Sequence, residues 1–254
     1  MKFSIITVVK NSKFQISKTI NSIKKQNYKN FEFIVIDGNS TDGTSEIIKK
    51  ISKNFRKLKH TIRKDKNLYD GLNFGIKVSK GKYIVILHSG DSFFSKNTLG
   101  EINKNILNYD AISGNVLFSK NGKIVRYWNY NIKKLNKFNS FKIAHTALIV
   151  KRKIVKKLNF YDIKYSISSD TDFILRMSQV KGLKFKKIEK NIVLMEVGGL
   201  SNSYENLLVK ISQDLKIYFK NFKLLFLFIY LFKIYFKFYK LIKWKISNQT
   251  KIFF

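Results

Sequence analysis

The sequence predicts an α/β fold built on a mostly parallel sheet, and three observations carry that prediction. Apolar, β-branched runs recur at 3–9, 31–36, 58–62 and 83–87. Polar segments long enough for helices separate them, and polar clusters stand at the run ends. Such alternation sets strands side by side with crossover helices between them.

The first run, FSIITVV, follows Met-Lys. It is too short for a signal peptide and no small-residue cleavage site follows, so it reads as a first strand and no secretion by that route is expected. After the second run, Ser40, Thr41 and Asp42 offer N-caps to a helix whose inner face is Ile47, Ile48 and Ile51. Leu68, Leu72 and Ile76 sit at helical spacing in 68–79, which stops before Gly81. The first hundred residues thus read as four β-α units. Beyond them, LFSKNGKIV at 117–125 places Asn-Gly between apolar runs, a strong hairpin signal. A helix over about 170–180 and short runs at 183–188 and 191–197 follow. No internal repeat or low-complexity linker divides this body.

From residue 205 the character changes to aliphatic, aromatic and lysine residues. Lysines at 216, 220 and 223, and again at 233, 237 and 240, make a basic stripe on a helix otherwise covered by Phe, Tyr, Leu and Ile. The longest uncharged stretch, Leu224 to Phe232, is nine residues. A bilayer crossing needs ~20, so an amphipathic helix on an anionic membrane surface is expected. Packing against the body is the other reading.

Fifty Lys+Arg against sixteen Asp+Glu give a formal charge of +34. That favours anionic partners, although Lys, Asn, Ile and Phe dominate throughout and a coding bias would also produce it. Cysteine is absent. Disulfides, thiol nucleophiles and Cys-ligated zinc are therefore excluded, which fits a reducing cytoplasm.

Ligands of open parallel sheets bind beyond the carboxyl ends of the strands. Thr7, the cluster led by Asp37, and Ser89-Gly90-Asp91 fall there. No Gly-x-Gly-x-x-Gly or P-loop pattern occurs, which disfavours a dinucleotide fold. Asp37 reads as a nucleotide contact or a loop-turn aspartate. Asp91 reads as a carboxylate for Mg or Mn held jointly with substrate phosphates, or as a turn former.

The stretches FSIITVVKNS, FEFIVIDGNSTDGT, DKNLYDGLNFGIKVSKGKYIVILHSGDSFF, AHTALIVKR and SSDTDFILRM, in this order over about residues 3–200, resemble the family-2 glycosyltransferases. The variant with Ser-Gly-Asp, His-Thr and Gly-Gly-Leu-Ser is most similar to bacterial transferases of cell-surface and exopolysaccharide synthesis. The resemblance implies a GT-A fold, Rossmann-like, with a nucleotide-sugar half at 1–95, an acceptor half at 96–204 and the basic tail at 205–254. It implies that Asp37 reads the base, with Thr7 and Val9 lining the same pocket. Asp70 and Asn73 would flank the diphosphate, and Ser89 would stand with the donor. Asp91 matches the last position of the family's metal motif, where Gly90-Asp91 replaces the usual acidic pair. Asp170 matches the catalytic base, with Asp172 as competitor and a helix N-cap as its other reading. His145 falls in the acceptor-side loop, where it would contact a phosphate or hydroxyl or sit as a core histidine. His60 and His88 receive no role. Gly-Gly-Leu-Ser at 198–201 would form a flexible loop near the acceptor.

The implied activity is an inverting, metal-dependent transfer of a hexosyl type. It would move a sugar from a nucleotide-sugar donor to a growing glycan, linked to polyprenyl diphosphate at the cytoplasmic face of the membrane. The rival from another class is a basic membrane- or nucleic-acid-binding protein with a vestigial transferase fold. No base-reading or single-strand-binding motif supports nucleic acid. A nucleotidyltransferase would share the α/β half but would leave 144–177 unexplained.

Overall fold

The computed structural model describes residues 1–197 and 204–249; the Gly-Gly-Leu-Ser segment lies outside them. β1 (Phe3–Val9), β2 (Phe31–Asp37), β3 (Leu58–Ile62) and β4 (Tyr83–Ile86) are parallel to one another. β1, β2 and β4 are buried along almost their whole length because helices cover both faces, which is why they read as continuous apolar runs. The covering helices are α1 (Ile16–Lys24), α2 (Thr44–Ser52) and α3 (Leu68–Val78). Leu72 and Ile76 of α3 are buried and Leu68 is partly so. α3 also lies very close to β1. A Cβ on Gly75 would come within 2.7 Å of Ile6 Cγ2 and one on Gly71 within 2.9 Å of Val8 Cγ1, so the absent side chains set the helix-to-sheet distance.

The rest of the sheet is mixed. It comprises β5 (Ser92–Phe93), β6 (Ala111–Lys120), β7 (Lys123–Trp128), β8 (Leu148–Lys151) and β9 (Phe185–Glu196). Among the described residues one sheet runs β3-β2-β1-β4-β8-β6-β9-β5, with β7 beside β6. β8 is antiparallel to β4 with Val85 opposite Ile149. The Asn-Gly hairpin forms as expected: Asn121 and Gly122 both have positive φ, 51° and 76°, between β6 and β7. The two short runs at 183–188 and 191–197 form the single strand β9. Its register against β6 shifts between Ser113 and Asn115, and that irregularity is what interrupts the apolar pattern.

α4 (Thr98–Asn105), α5 (Arg152–Lys157) and α6 (Ser169–Ser178) complete the body. The tail is not one helix but two, α7 (Tyr204–Phe222) and α8 (Phe226–Gln249), broken where Lys223 takes φ 51°. The lysine stripe is broken with it. Lys233 is buried in an ion pair with Asp214 at 2.8 Å, between the rings of Tyr218 and Tyr230. Both helices also pack on the body. Leu175 of α6 joins Ile217, Tyr218 and Phe222 in a second core, and Phe236 lies edge-on to Trp128 and Phe141. No helix among the described residues is long and apolar enough to cross a membrane. The hairpin nonetheless leaves a large apolar surface bare: Leu224 is 96% and Phe228 70% exposed, with Leu225, Leu227 and Leu231 beside them.

Candidate active site

The parallel register brings the carboxyl ends of β1, β2 and β4 to one edge, where Val9 lies opposite Asp37. Thr7 is buried and donates its hydroxyl to Leu87 O at 2.6 Å, tying β1 to the loop after β4. Val9 is buried too, and its carbonyl accepts the Gly38 N–H. Asp37 has no exposed surface. It accepts from Ser40 N–H and Oγ at 2.9 and 2.7 Å and from Ser45 Oγ, and His60 Nε2 lies 3.6 Å away. Its carboxylate therefore shapes the 38–45 turn from inside. Asp42 accepts the Thr44 N–H at 3.0 Å just ahead of α2, whose capping position is Gly43.

Asp70 accepts the Lys66 N–H and lies 3.4 Å from Arg63 Nη2. Asn73 points inward, exchanging both amide hydrogen bonds with the backbone of Tyr161 at 2.8 and 3.0 Å. It fastens α3 to the segment before α6.

The Ser89-Gly90-Asp91 turn is pinned by Thr19, which accepts the Gly90 N–H and donates to Asp91 O. Gly90 has φ +93°, a left-handed value costly for any other residue there. Asp91 is 3% exposed. One oxygen accepts the Glu196 N–H at 3.2 Å; the other, Oδ2, is buried without a partner, as is Ser89 Oγ beside it. Burial pushes the Asp91 carboxyl up to about 7, against the pull of that N–H and of His145 and Lys18. An orphaned oxygen on a buried acid fits a hard divalent cation, which would restore the charge that burial suppresses. Among the described residues no third acid or histidine joins it, so such an ion would rest largely on substrate phosphates.

Asp170 lies in the first turn of α6. Its Oδ2 lies 2.8 Å from His145 Nδ1, and its Oδ1 accepts the Thr171 N–H at 2.8 Å and the Tyr69 hydroxyl at 3.3 Å. Burial works against its charge. His145 first, then Lys210 and Thr171, outweigh it and hold the carboxyl far below the usual carboxylate range. Asp170 does not serve as the helix cap; the capping position belongs to Ser168, whose side chain makes no cap bond. Asp172 is buried and bonded to Arg176 Nε at 2.6 Å, and Arg176 also donates to the carbonyls of Leu158 and Phe160. That carboxylate is a structural clip.

Two contributors escape the sequence reading. His88, which received no role, lies with its Nε2 2.8 Å from His145 Nε2. Burial, then His145, pushes it down to about 3, so it is neutral. Its position three residues before Asp91 was the available signal. Gln213 of α7 accepts the N–H groups of Ile167 and Ser168 at 3.0 and 3.1 Å, bracing the approach to Asp170 from a helix that looked like an appendage. No spacing rule would have revealed it.

The glycosyl transferase family 2 sequence profile matches residues 4–171. A PGL/p-HBAD biosynthesis glycosyltransferase of Mycobacterium bovis is 27% identical over 208 residues, covering 79% of each chain. An uncharacterized glycosyltransferase of Methanocaldococcus jannaschii is 29% identical over 198 residues, 74% of this chain and 67% of the relative. Among solved structures, S. aureus TarS 1-349 in complex with UDP-GlcNAc aligns with TM-score 0.69 and 19% identity over 87% of this chain and 68% of that one. The chain spans 66% of the length of S. aureus TarS 1-349 in another of its crystal structures. The mannosyltransferase PcManGT of Pyrobaculum calidifontis, in complex with GDP-Man and Mn2+, aligns with TM-score 0.63 and 15% identity over 86% of this chain and 63% of that one. The sheet, the strand-end carboxylates and a profile matching about two thirds of the chain agree, and the chain belongs to glycosyl transferase family 2.

Proposed function

We propose that the protein transfers a hexosyl unit, with inversion, from a nucleoside-diphosphate sugar to a hydroxyl of a growing glycan. The carrying observation is that Asp170 lies 2.8 Å from His145, that His145 is bonded in turn to His88, and that Asp91, three residues after His88, keeps one buried oxygen without a partner. Such a pair supplies what the reaction needs at its two ends.

In this reading residues 1–95 hold the donor and 96–204 the acceptor. The acceptor oxygen bonds to the anomeric carbon from the face opposite the diphosphate as the bond to the leaving diphosphate oxygen breaks. Asp170 takes the hydroxyl proton. The Tyr69 contact, its longest at 3.3 Å, is the one an acceptor hydroxyl would replace, while His145 keeps the carboxylate oriented. Asp91, with Ser89 near it, would hold Mg or Mn, which when bound neutralises charge on the departing diphosphate. Asp37, Thr7 and Val9 shape the base pocket from behind, and Asp70 stands at the start of α3 on the diphosphate side. The bare apolar tip of the α7–α8 hairpin and the +34 charge support a peripheral seat on an anionic membrane at its cytoplasmic face, beside a polyprenyl-diphosphate-linked acceptor. TarS and PcManGT were solved with UDP-GlcNAc and GDP-Man, which supports the donor class and leaves the sugar open.

The test is donor hydrolysis. Purified full-length protein with Mg or Mn is expected to release nucleoside diphosphate slowly from a panel of nucleotide-sugars and to prefer one. Release unchanged by chelation would remove the metal from the reading, and no release from any donor, with or without cell-envelope lipid extract, would sink it.

A further inference from the structure

The contacts between α7 and α8 fix the register of the hairpin. Tyr218 meets Tyr230 with ring centres 5.6 Å apart, and on the next turn Asp214 meets Lys233 in a buried ion pair at 2.8 Å. Four residues before Asp214 stands Lys210, and four residues after Lys233 stands Lys237. Both steps run away from the break at Lys223 and each keeps to its helix face, so the following turn brings Lys210 and Lys237 opposite one another. The two ammonium groups repel each other, and both interact electrostatically with Asp170. Backbone contacts hold them there. Gln213 accepts the N–H groups of Ile167 and Ser168, and Ser168 Oγ donates to Lys210 O at 3.5 Å, which seats this turn of α7 against the start of α6.

Neither lysine makes an ion pair among the described residues. Asp214 is taken by Lys233, and the Asp170 oxygens are taken by His145, Thr171 and Tyr69. Lys210 and Lys237 therefore stand beside the Asp170 carboxylate without closing on it. Lys237 is crowded by protein and yet exposed, as a group in the wall of a recess is. Burial first, then Lys233 and Lys210, push its pKa down to about 7, so the local carboxylates do not offset the gathered positive charge. An anion entering between the two lysines would. Two compact ammonium groups converging from facing helices suit a tetrahedral phosphate, whose oxygens point both ways. Lys210 also lies thirteen residues before Lys223, about 20 Å along the helix from the bare tip of the hairpin. A phospholipid headgroup at that tip does not reach the pair.

We infer that Lys210 and Lys237 receive a phosphate of the acceptor and so place the hydroxyl of the sugar beside it within reach of Asp170. This rests on the transferase reading above and makes the acceptor a sugar that carries a phosphate. The diphosphate of the donor has the same chemistry, and the experiment separates the two sources.

Full-length protein labelled with 13C at lysine Cε is titrated with inorganic phosphate, and separately with chloride at matched ionic strength, while the protonation of Lys237 is followed by NMR. Its signal is identified by its absence from Lys237→Gln, and its midpoint near 7 sets it apart from ordinary exposed lysines. Phosphate is expected to raise that midpoint by about one unit, because a bound anion favours the ammonium form, and chloride to leave it in place. Lys210→Gln is expected to weaken phosphate binding about tenfold, as loss of one charged hydrogen bond does, and Lys210→Arg to weaken it less. No response to phosphate, a response matched by chloride, or an equal response in Lys210→Gln of unchanged melting temperature overturns the site. The titration is repeated with Mg and a saturating amount of the nucleoside diphosphate released from the preferred donor. Phosphate binding that persists upholds the acceptor assignment, and binding that is displaced gives the lysines to the donor and overturns it. Donor hydrolysis by the parent is measured alongside. Release without a phosphate response removes the site and leaves the transferase reading; a phosphate response with no release from any donor removes that reading and the acceptor assignment with it.

Discussion

The Nε2 atoms of His88 and His145 lie 2.8 Å apart, so a single proton stands between two imidazoles. His145 Nδ1 faces the Asp170 carboxylate at 2.8 Å and is assigned the N–H there. His88 Nε2 takes the other ring nitrogen of His145, so His88 fixes the tilt of the residue that orients the base. His88→Leu is expected to lower turnover by about 10²-fold, the scale of a small misplacement of reacting groups, with donor KM unchanged. His88→Gln, which keeps a hydrogen-bonding group at that position, is expected to recover much of it. Equal loss in both variants, with the melting temperature intact, would show that the hydrogen bond from His88 does not orient His145.

The two aspartates of α6 separate by what each touches. Asp170→Asn cannot take a proton and is expected to cost roughly 10²–10⁴-fold in turnover without disturbing donor binding. Asp172→Ala leaves the half-buried Arg176 without its carboxylate partner. It is expected to cost about 3–5 kcal/mol of stability, read as a large fall in melting temperature, with turnover per folded molecule largely kept. The reverse pattern would exchange the roles.

Asp91 makes stability depend on pH. Its folded pKa is raised from 3.8 to about 7, so the folded chain keeps a proton that the unfolded chain releases above pH 3.8. That contribution is complete below pH 3.8 and lost as pH rises through about 7, where the ionised group costs roughly 4 kcal/mol. Without divalent ions, Asp91→Asn is therefore expected to melt above the parent at pH 8, the gap closing toward pH 4. Mg or Mn should raise the parent's melting temperature at pH 8 and leave the variant's unchanged. A gap independent of pH would show that burial of the charge is not its cause.

The hairpin bears on membrane binding. Truncation near Asn206 would remove Ile217 and Tyr218 from a core and Gln213 from the approach to Asp170, so loss of function after it would say nothing about lipid. Replacing Leu224, Leu227, Phe228 and Leu231 by serine touches only exposed side chains. The variant is expected to keep its melting temperature and fail to float with phosphatidylglycerol vesicles. The parent should float, less so as salt rises, each lysine near the surface contributing ~1 kcal/mol. Parental binding indifferent to salt and to anionic lipid would end the membrane reading.

The first half of the chain was legible because parallel strands buried on both faces advertise themselves as apolar runs. α3 was legible because Leu68, Leu72 and Ile76 repeat with the helical period. The second half was less so. β9 carries a register shift that splits its pattern, β5 is two residues long, and the break at Lys223 depends on a left-handed backbone that lysine does not announce. For the candidate site, strand-end position and motif pointed to Asp91, His145 and Asp170, and His145 lies 2.8 Å from Asp170. They could not distinguish carboxylates and amides that face the ligand from Asp37, Asn73 and Asp172, which spend their polar atoms inside. That distinction lies in side-chain direction and in partners up to 88 residues away.

The antiparallel rungs that set Val85 opposite Ile149 also decide how the enzyme fails when heated. His88 lies three residues beyond one rung and His145 four residues before the other, so both imidazoles hang from the same pair of central strands. Nothing short of separating β4 from β8 can pull them far apart. Loss of the His88–His145 contact on heating is therefore expected to follow loss of the sheet along one curve, read by imidazole NMR signals against far-ultraviolet dichroism.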